Sequence, residues 1–147
     1  MVRKVVSFSL DDDVSLFYFT DARVGFVQTM YSINEGDSVT ILVQLFDSIA
    51  NPVTVQFATV DGTADSSFGG DYTTEQRTIT FEPGGNTIAF VTVQTLSDER
   101  AELTETFTAQ LSQPSAGLTI TEDTATIEIA DATGMPNQLL IIIIRGA

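Results

Sequence analysis

The alternation of apolar and polar residues constrains this chain more than any other feature. Val39, Ile41, Val43 and Leu45 share one parity, with Thr40 and Gln44 between them. Val53, Val55 and Phe57 repeat the pattern against Thr54 and Gln56. The same period recurs at Ile79 and Phe81, at Val91 and Val93, at Phe107, Ala109 and Leu111, and at Ala125, Ile127 and Ile129. Successive side chains of a strand point to opposite faces, so a period of two gathers these residues on one buried face. The β-branched and aromatic enrichment suits a pleated, half-buried surface. No stretch carries a helical period. Turn chemistry separates the runs. Asn51-Pro52 ends one strand, and Asp61-Gly62 marks a second turn. Pro83-Gly84-Gly85-Asn86 reads as a tight reversal between two strands, since proline presets φ and glycine accepts φ > 0. Ser66–Gly70 reads as a flexible loop. Many short strands at this spacing predict an all-β sandwich. A chain of 147 residues fits one domain.

Composition narrows the chemistry. There is no cysteine, hence no disulfide framework and no thiolate metal site. There is no histidine, which removes the commonest general base, the usual zinc ligand and every Ser–His or Cys–His mechanism. The formal charge is −14 with six basic residues, so phosphate backbones and anionic membrane surfaces are repelled. Two readings of the acidity stay open: a solvated surface that resists association, and divalent-cation binding at loop carboxylates. Among twenty acidic residues some pair meets a glycosidase spacing by chance, and no phosphate loop or nucleophile elbow is present. The expectation is a non-enzymatic protein.

One ordered set of short motifs runs from Glu35 to Asp131. It comprises Asn34-Glu35-Gly36-Asp37, Val60-Asp61-Gly62-Thr63-Ala64, Gly70-Asp71-Tyr72 and Ile79-Thr80-Phe81-Glu82-Pro83-Gly84. Asp98-Glu99, Glu102, Glu105-Thr106-Phe107 and Thr126-Ile127-Glu128-Ile129-Ala130-Asp131 complete it. In order and spacing this set resembles the Calx-beta family, found in sodium–calcium exchangers, integrin-type receptors and large bacterial adhesive proteins. The resemblance implies a Calx-beta/immunoglobulin-like antiparallel β-sandwich over roughly residues 23–133, with additional strands or arms at 1–22 and 134–147. It also implies a function in binding calcium or partners, or in spacing other domains.

Carried over residue by residue, the resemblance assigns candidate metal ligands. Glu35 precedes the first long strand. Asp71 belongs to the Gly-Asp-Tyr motif. Asp98, Glu99 and Glu102 fall in the acidic loop, and Asp131 ends the last family strand. The chain also departs from the family pattern. Arg100 stands in or beside the acidic loop, and the final acidic run is reduced to Asp131-Ala132-Thr133. Fewer ligand charges weaken calcium sites, so the expectation is one weak Ca2+ site, or none with Arg100 as a built-in counter-ion. Glu105 reads as a structural position of the motif. Asp11-Asp12-Asp13 reads as a solvated turn, because neighbours on a strand diverge.

The regions outside the family pattern suggest protein–protein contact. Leu139, Leu140, Ile141, Ile142, Ile143 and Ile144 form an unalternated apolar run, which asks for burial on both faces. It reads either as one more strand of its own sandwich or as an arm that adds to a neighbour's sheet edge. Phe17 and Phe19 in the N-terminal run are further candidate contacts. So is Phe90, which points outward if Val91 and Val93 point in; Leu42 and Phe46 are outward by the same count. The start, Met1-Val2-Arg3-Lys4-Val5-Val6, lacks the apolar region of a signal peptide, and 141–144 is too short to span a bilayer. The preferred expectation is a structural or adhesive module, synthesised in the cytoplasm and assembled with copies of itself on a virion or cell surface, for instance as a capsid decoration protein. The alternative is a calcium-binding module with a weak loop site.

Overall fold

A computed structural model describes residues 4–10, 13–98 and 100–131, with the backbone alone for 4–19. Eleven strands are present among these residues: β1 Lys4–Leu10, β2 Asp13–Phe19, β3 Ala22–Phe26, β4 Met30–Asn34, β5 Ser38–Leu45 and β6 Val53–Val60, then β7 Gln76–Phe81, β8 Ile88–Gln94, β9 Glu105–Ser112, β10 Leu118–Glu122 and β11 Thr124–Ala130. They form two layers, a four-stranded sheet in the order β10-β3-β5-β8 and a five-stranded sheet in the order β4-β11-β9-β6-β7. β1 and β2 pair antiparallel as a two-stranded sheet of their own, with Lys4 opposite Phe19.

The core lies between the two layers and is built from the alternating residues. Val39, Ile41, Val43 and Leu45 of β5 are buried, as are Val91 and Val93 of β8. From the other layer come Val55, Phe57, Phe81, Phe107, Ala109, Ala125 and Ile127. Phe26 of one sheet meets Phe57 of the other edge to face, with ring centroids 6.2 Å apart. Each fully buried Val, Ile, Leu or Phe contributes about 1.5–3 kcal/mol relative to exposure. That burial decides the register, since a one-residue slip would turn the whole set to water.

Both sheets are mixed, which corrects the antiparallel expectation. β3 pairs antiparallel with β5 but parallel with β10, and β4 pairs parallel with β11. The cause is a change of layer without a change of direction. Val27 still donates to the Leu42 carbonyl of the first sheet (3.1 Å), while Thr29 already accepts from Thr126 of the second (2.8 Å). The Pro83–Asn86 reversal joins two strands that lie in different sheets. Gly85 N–H closes it on Glu82 O at 3.0 Å with Gly84 at φ 70°, and the chain passes from β7 in one sheet to β8 in the other. No helix among the described residues is long and apolar enough to cross a membrane.

Candidate metal centre

Three inward-facing registers run past the core and end in carboxylates. On β4, Tyr31 and Ile33 pack against the core, and two residues on comes Glu35. On β11, Ala125, Ile127 and Ile129 are buried, and Asp131 follows in the same parity. On β9, Phe107, Ala109 and Leu111 are buried, and Glu105 precedes them in the same parity. Pairing brings these ends to one rim of the sandwich, because Ile129 faces Glu105 and Ala130 faces Asn34. Glu35 N–H donates to Ala130 O at 2.8 Å. The turn that carries Glu35 needs Gly36 at φ 82°, a left-handed value that L side chains rarely adopt. Buried Thr95 holds the same turn by donating its hydroxyl to Asp37 O at 2.7 Å.

Asp71 reaches the rim through its neighbour. Tyr72 is 1% exposed and stacks on Phe107, with centroids 4.0 Å apart and rings 11° from parallel. Its hydroxyl donates to Asp61 Oδ1 at 2.5 Å. Burial first, then this bond to a carboxylate, pushes the phenol up to about 12, while the donated hydrogen bond holds Asp61 below its ordinary value. Residues 61–71, expected in part as a flexible loop, are tied internally. Asp65 N–H donates to Asp71 Oδ2 (2.8 Å), Asp71 N–H to Asp65 O (2.8 Å) and Ser66 N–H to Asp61 Oδ1 (3.1 Å). The loop also leans on β9, where Ala64 N–H meets Thr106 O at 2.9 Å. That contact requires Gly62, because a Cβ there would lie 2.3 Å from the same oxygen.

The acidic loop closes the rim from the opposite side. Glu102 N–H donates to Asp131 Oδ2 (3.0 Å), and Asp98 N–H reaches Glu35 Oε1 (3.4 Å). Arg100 N–H donates to Asp98 Oδ1 at 2.7 Å, and its guanidinium lies 3.6 Å from Glu102 Oε1.

The result is a compact carboxylate centre. Oxygens of Asp71, Glu102 and Glu105 lie within 4.8 Å of one another. Two ligands 2.4 Å from a shared calcium ion can be at most about 4.8 Å apart, so the spacing suits one ion. Glu35, Asp71, Glu102, Leu103, Glu105, Ile129 and Asp131 line a cavity of about 10 Å³, roughly the room of one water. Burial chiefly, then the Asp71 charge and a hydrogen bond to Asp71, pushes Glu105 up to about 7. Glu35 Oε2 is buried with no hydrogen-bond partner. A buried unpaired carboxylate oxygen is costly, and a hard cation beside it would remove that cost. The donors are all oxygens, as Ca2+ or Mg2+ requires.

Of the six ligands expected from sequence, the structure brings Glu35, Asp71, Glu102 and Asp131 to one cavity. Asp98 stands aside, exposed, its carboxylate engaged by Arg100 N–H. Glu99 lies outside the described residues. Glu105, expected as a structural position of the motif, places its carboxylate beside those of Asp71 and Glu102. The signal was in the sequence: two residues before Phe107, it continues that strand's inward face. Among the expected contact residues, Phe90 is 62% exposed on the outer face of β8, and Phe46, just past the end of β5, is exposed as well. Leu42, opposite Phe90, is half-buried. Phe17 and Phe19 lie on β2 opposite Val6 and Lys4. Leu139 to Ile144 lie outside the described residues, as do Asp11 and Asp12.

Fold and site together define an immunoglobulin-like sandwich with a carboxylate centre at one end. The chain belongs to the Calx-beta domain family, whose match spans residues 20–133. It resembles the apo-form Calx CBD1 domain at 25% identity and a TM-score of 0.70, covering 76% of this chain and 97% of that one. The calcium binding domain CBD12 of CALX1.1 matches at 26% identity and a TM-score of 0.70, over 76% of this chain and 46% of that longer one. The Calx CBD2 domain shares the fold at 15% identity and a TM-score of 0.65, covering 75% of this chain and 86% of its own. No curated protein sequence matches.

Proposed function

We propose that this domain binds a single Ca2+ ion, weakly, through Glu35, Asp71, Glu102, Glu105 and Asp131. The observation that carries the reading is the convergence of Asp71, Glu102 and Glu105 within 4.8 Å, with Glu35 and Asp131 lining the same cavity. The ion would supply positive charge where carboxylates from four separate segments repel one another. It would thereby stiffen the acidic loop against β4, β9 and β11. The work of the site is binding rather than catalysis, consistent with a chain that offers no histidine or cysteine. The neighbouring structures favour this reading over capsid decoration or a surface fibre, for which no match gives support: one of them is described as a calcium binding domain.

Thermal melts in Ca2+, in chelator and in Mg2+ test the proposal. At a free ion concentration about 20 times Kd, linkage stabilises the fold by about 1.8 kcal/mol. Over 147 residues that raises Tm by about 6 °C. Asp71→Asn should abolish most of the rise. A parent protein with the same Tm in Ca2+ and in chelator would end the proposal.

A further inference from the structure

We propose that Arg100 is a tethered counter-cation of this centre, a device that stabilises the ion-free rim and sets how weakly the rim takes Ca2+. The inference rests on the calcium reading above and concerns the regulation of that same site. Its basis is a contact that the other described arginines do not make. Arg23 pairs with Asp47, and Arg77 with Glu75, both away from the rim. Arg100 instead directs its guanidinium at Glu102 Oε1, 3.6 Å away. Glu102 Oε1 belongs to one of the three carboxylates that converge within 4.8 Å.

The loop around Arg100 is arranged as a set of substitute positive partners. Asp98 N–H reaches Glu35, Glu102 N–H reaches Asp131, and Arg100 N–H donates to Asp98. A monovalent guanidinium at the edge offsets part of the repulsion among Asp71, Glu102 and Glu105. It does so without entering the cavity, whose lining does not include it. A Ca2+ ion that claims Glu102 competes with Arg100 for the charge of that carboxylate and sits near a like charge. The same residue therefore acts with opposite sign in the two states. It favours the ion-free fold and disfavours the loaded one. The Arg100 side chain is 78% exposed, so solvent screens the pair and the effect is modest.

Removing the charge should accordingly tighten binding while loosening the ion-free protein. For Arg100→Gln, calorimetric titration with CaCl2 should give a Kd about two- to fivefold lower, the range that an exposed ion pair supports. In chelator the same variant should melt below the parent, and its Ca2+-dependent rise in Tm should be larger. Arg100→Lys, which keeps the charge, should stay near the parent in both measurements. The difference in Kd between parent and Arg100→Gln should shrink in 1 M NaCl, as screening requires. A parent that binds Ca2+ with a Kd unchanged or weakened in Arg100→Gln overturns the Arg100 role and leaves the calcium site standing. Absence of binding by both proteins overturns the calcium reading itself. Binding by Arg100→Gln alone would be the strongest support for the counter-cation.

Discussion

Gly62→Ala puts the geometry of the loop that presents Asp71 to a quantitative test. The added Cβ would lie 2.3 Å from Thr106 O, where ordinary contact begins near 3.4 Å, so loop and strand must part by about 1 Å. The oxygen is backbone and the Cβ is fixed by the backbone that carries it, so no flexible side chain can yield in their place. Overpacking of this kind costs about 1–3 kcal/mol. Parting also weakens the bond from Ala64 N–H to the same oxygen, adding about 0.5–1.5 kcal/mol. The expected loss is about 2–4 kcal/mol, which over 147 residues lowers Tm by about 6–13 °C. Thr106 adjoins Glu105, so the same displacement moves Asp71 away from Glu105 and should weaken Ca2+ binding as well. Gly84→Ala is the control. Its φ of 70° penalises a side chain, yet no atom lies within 4 Å and the turn is at the opposite end of the sandwich. It should lose stability without losing Ca2+ affinity. Melts by circular dichroism in chelator, followed by Ca2+ titration, read both quantities. A Gly62→Ala protein that melts within about 2 °C of the parent would refute the close approach.

Two further outcomes follow from the rim and the outer face. The folded-state value of Glu105, about 7, exceeds its ordinary 4.5, so the folded ion-free protein holds this proton more tightly than the unfolded chain does. The associated stability is full below pH 4.5 and is lost as pH rises through 7, a window that Glu105→Gln should flatten in chelator. Ca2+ affinity should rise across the same window as the competing proton leaves; a flat affinity from pH 6 to 8 would remove Glu105 from the ligand set. Phe90→Ser should shift stability by no more than about 0.5 kcal/mol, because the ring is 62% exposed. A drop in Tm beyond about 5 °C would mean that the outer face of β8 is covered in solution.

The strands that the alternation marked are the ones whose apolar parity is buried: β5, β6, β7, β8, β9 and β11 all behave this way. Period two is a local property, so a single sequence displays it. β3, β4 and β10 are five residues each, and β4 and β10 bury only partly, leaving little parity to read. Their parallel pairings depend on which layer the chain enters, which no local signal specifies. The site divides in the same manner. Glu35, Asp71, Glu102 and Asp131 were legible from motif order. Glu105 was legible in principle from its parity with Phe107. The Tyr72–Asp61 bond that sets Asp71 joins a phenol to a carboxylate eleven residues earlier, across a loop whose path depends on the Gly62–Thr106 approach.

The parallel pairing of β4 with β11 also determines how the sandwich would respond to tension. The chain enters β3 at Ala22, at the end remote from the carboxylate rim, since Val24 lies opposite Leu45 near the end of β5. It leaves β11 at Asp131, within the rim. Tension applied at those two points runs along the strands and slides β4 past β11. The five residue pairs from Met30–Thr126 to Asn34–Ala130 then resist together rather than peeling one at a time. The last of those pairs adjoins Glu35 and Asp131. An ion held between these two carboxylates would pin the ladder where the pulled strand departs, as a rivet pins a shear joint.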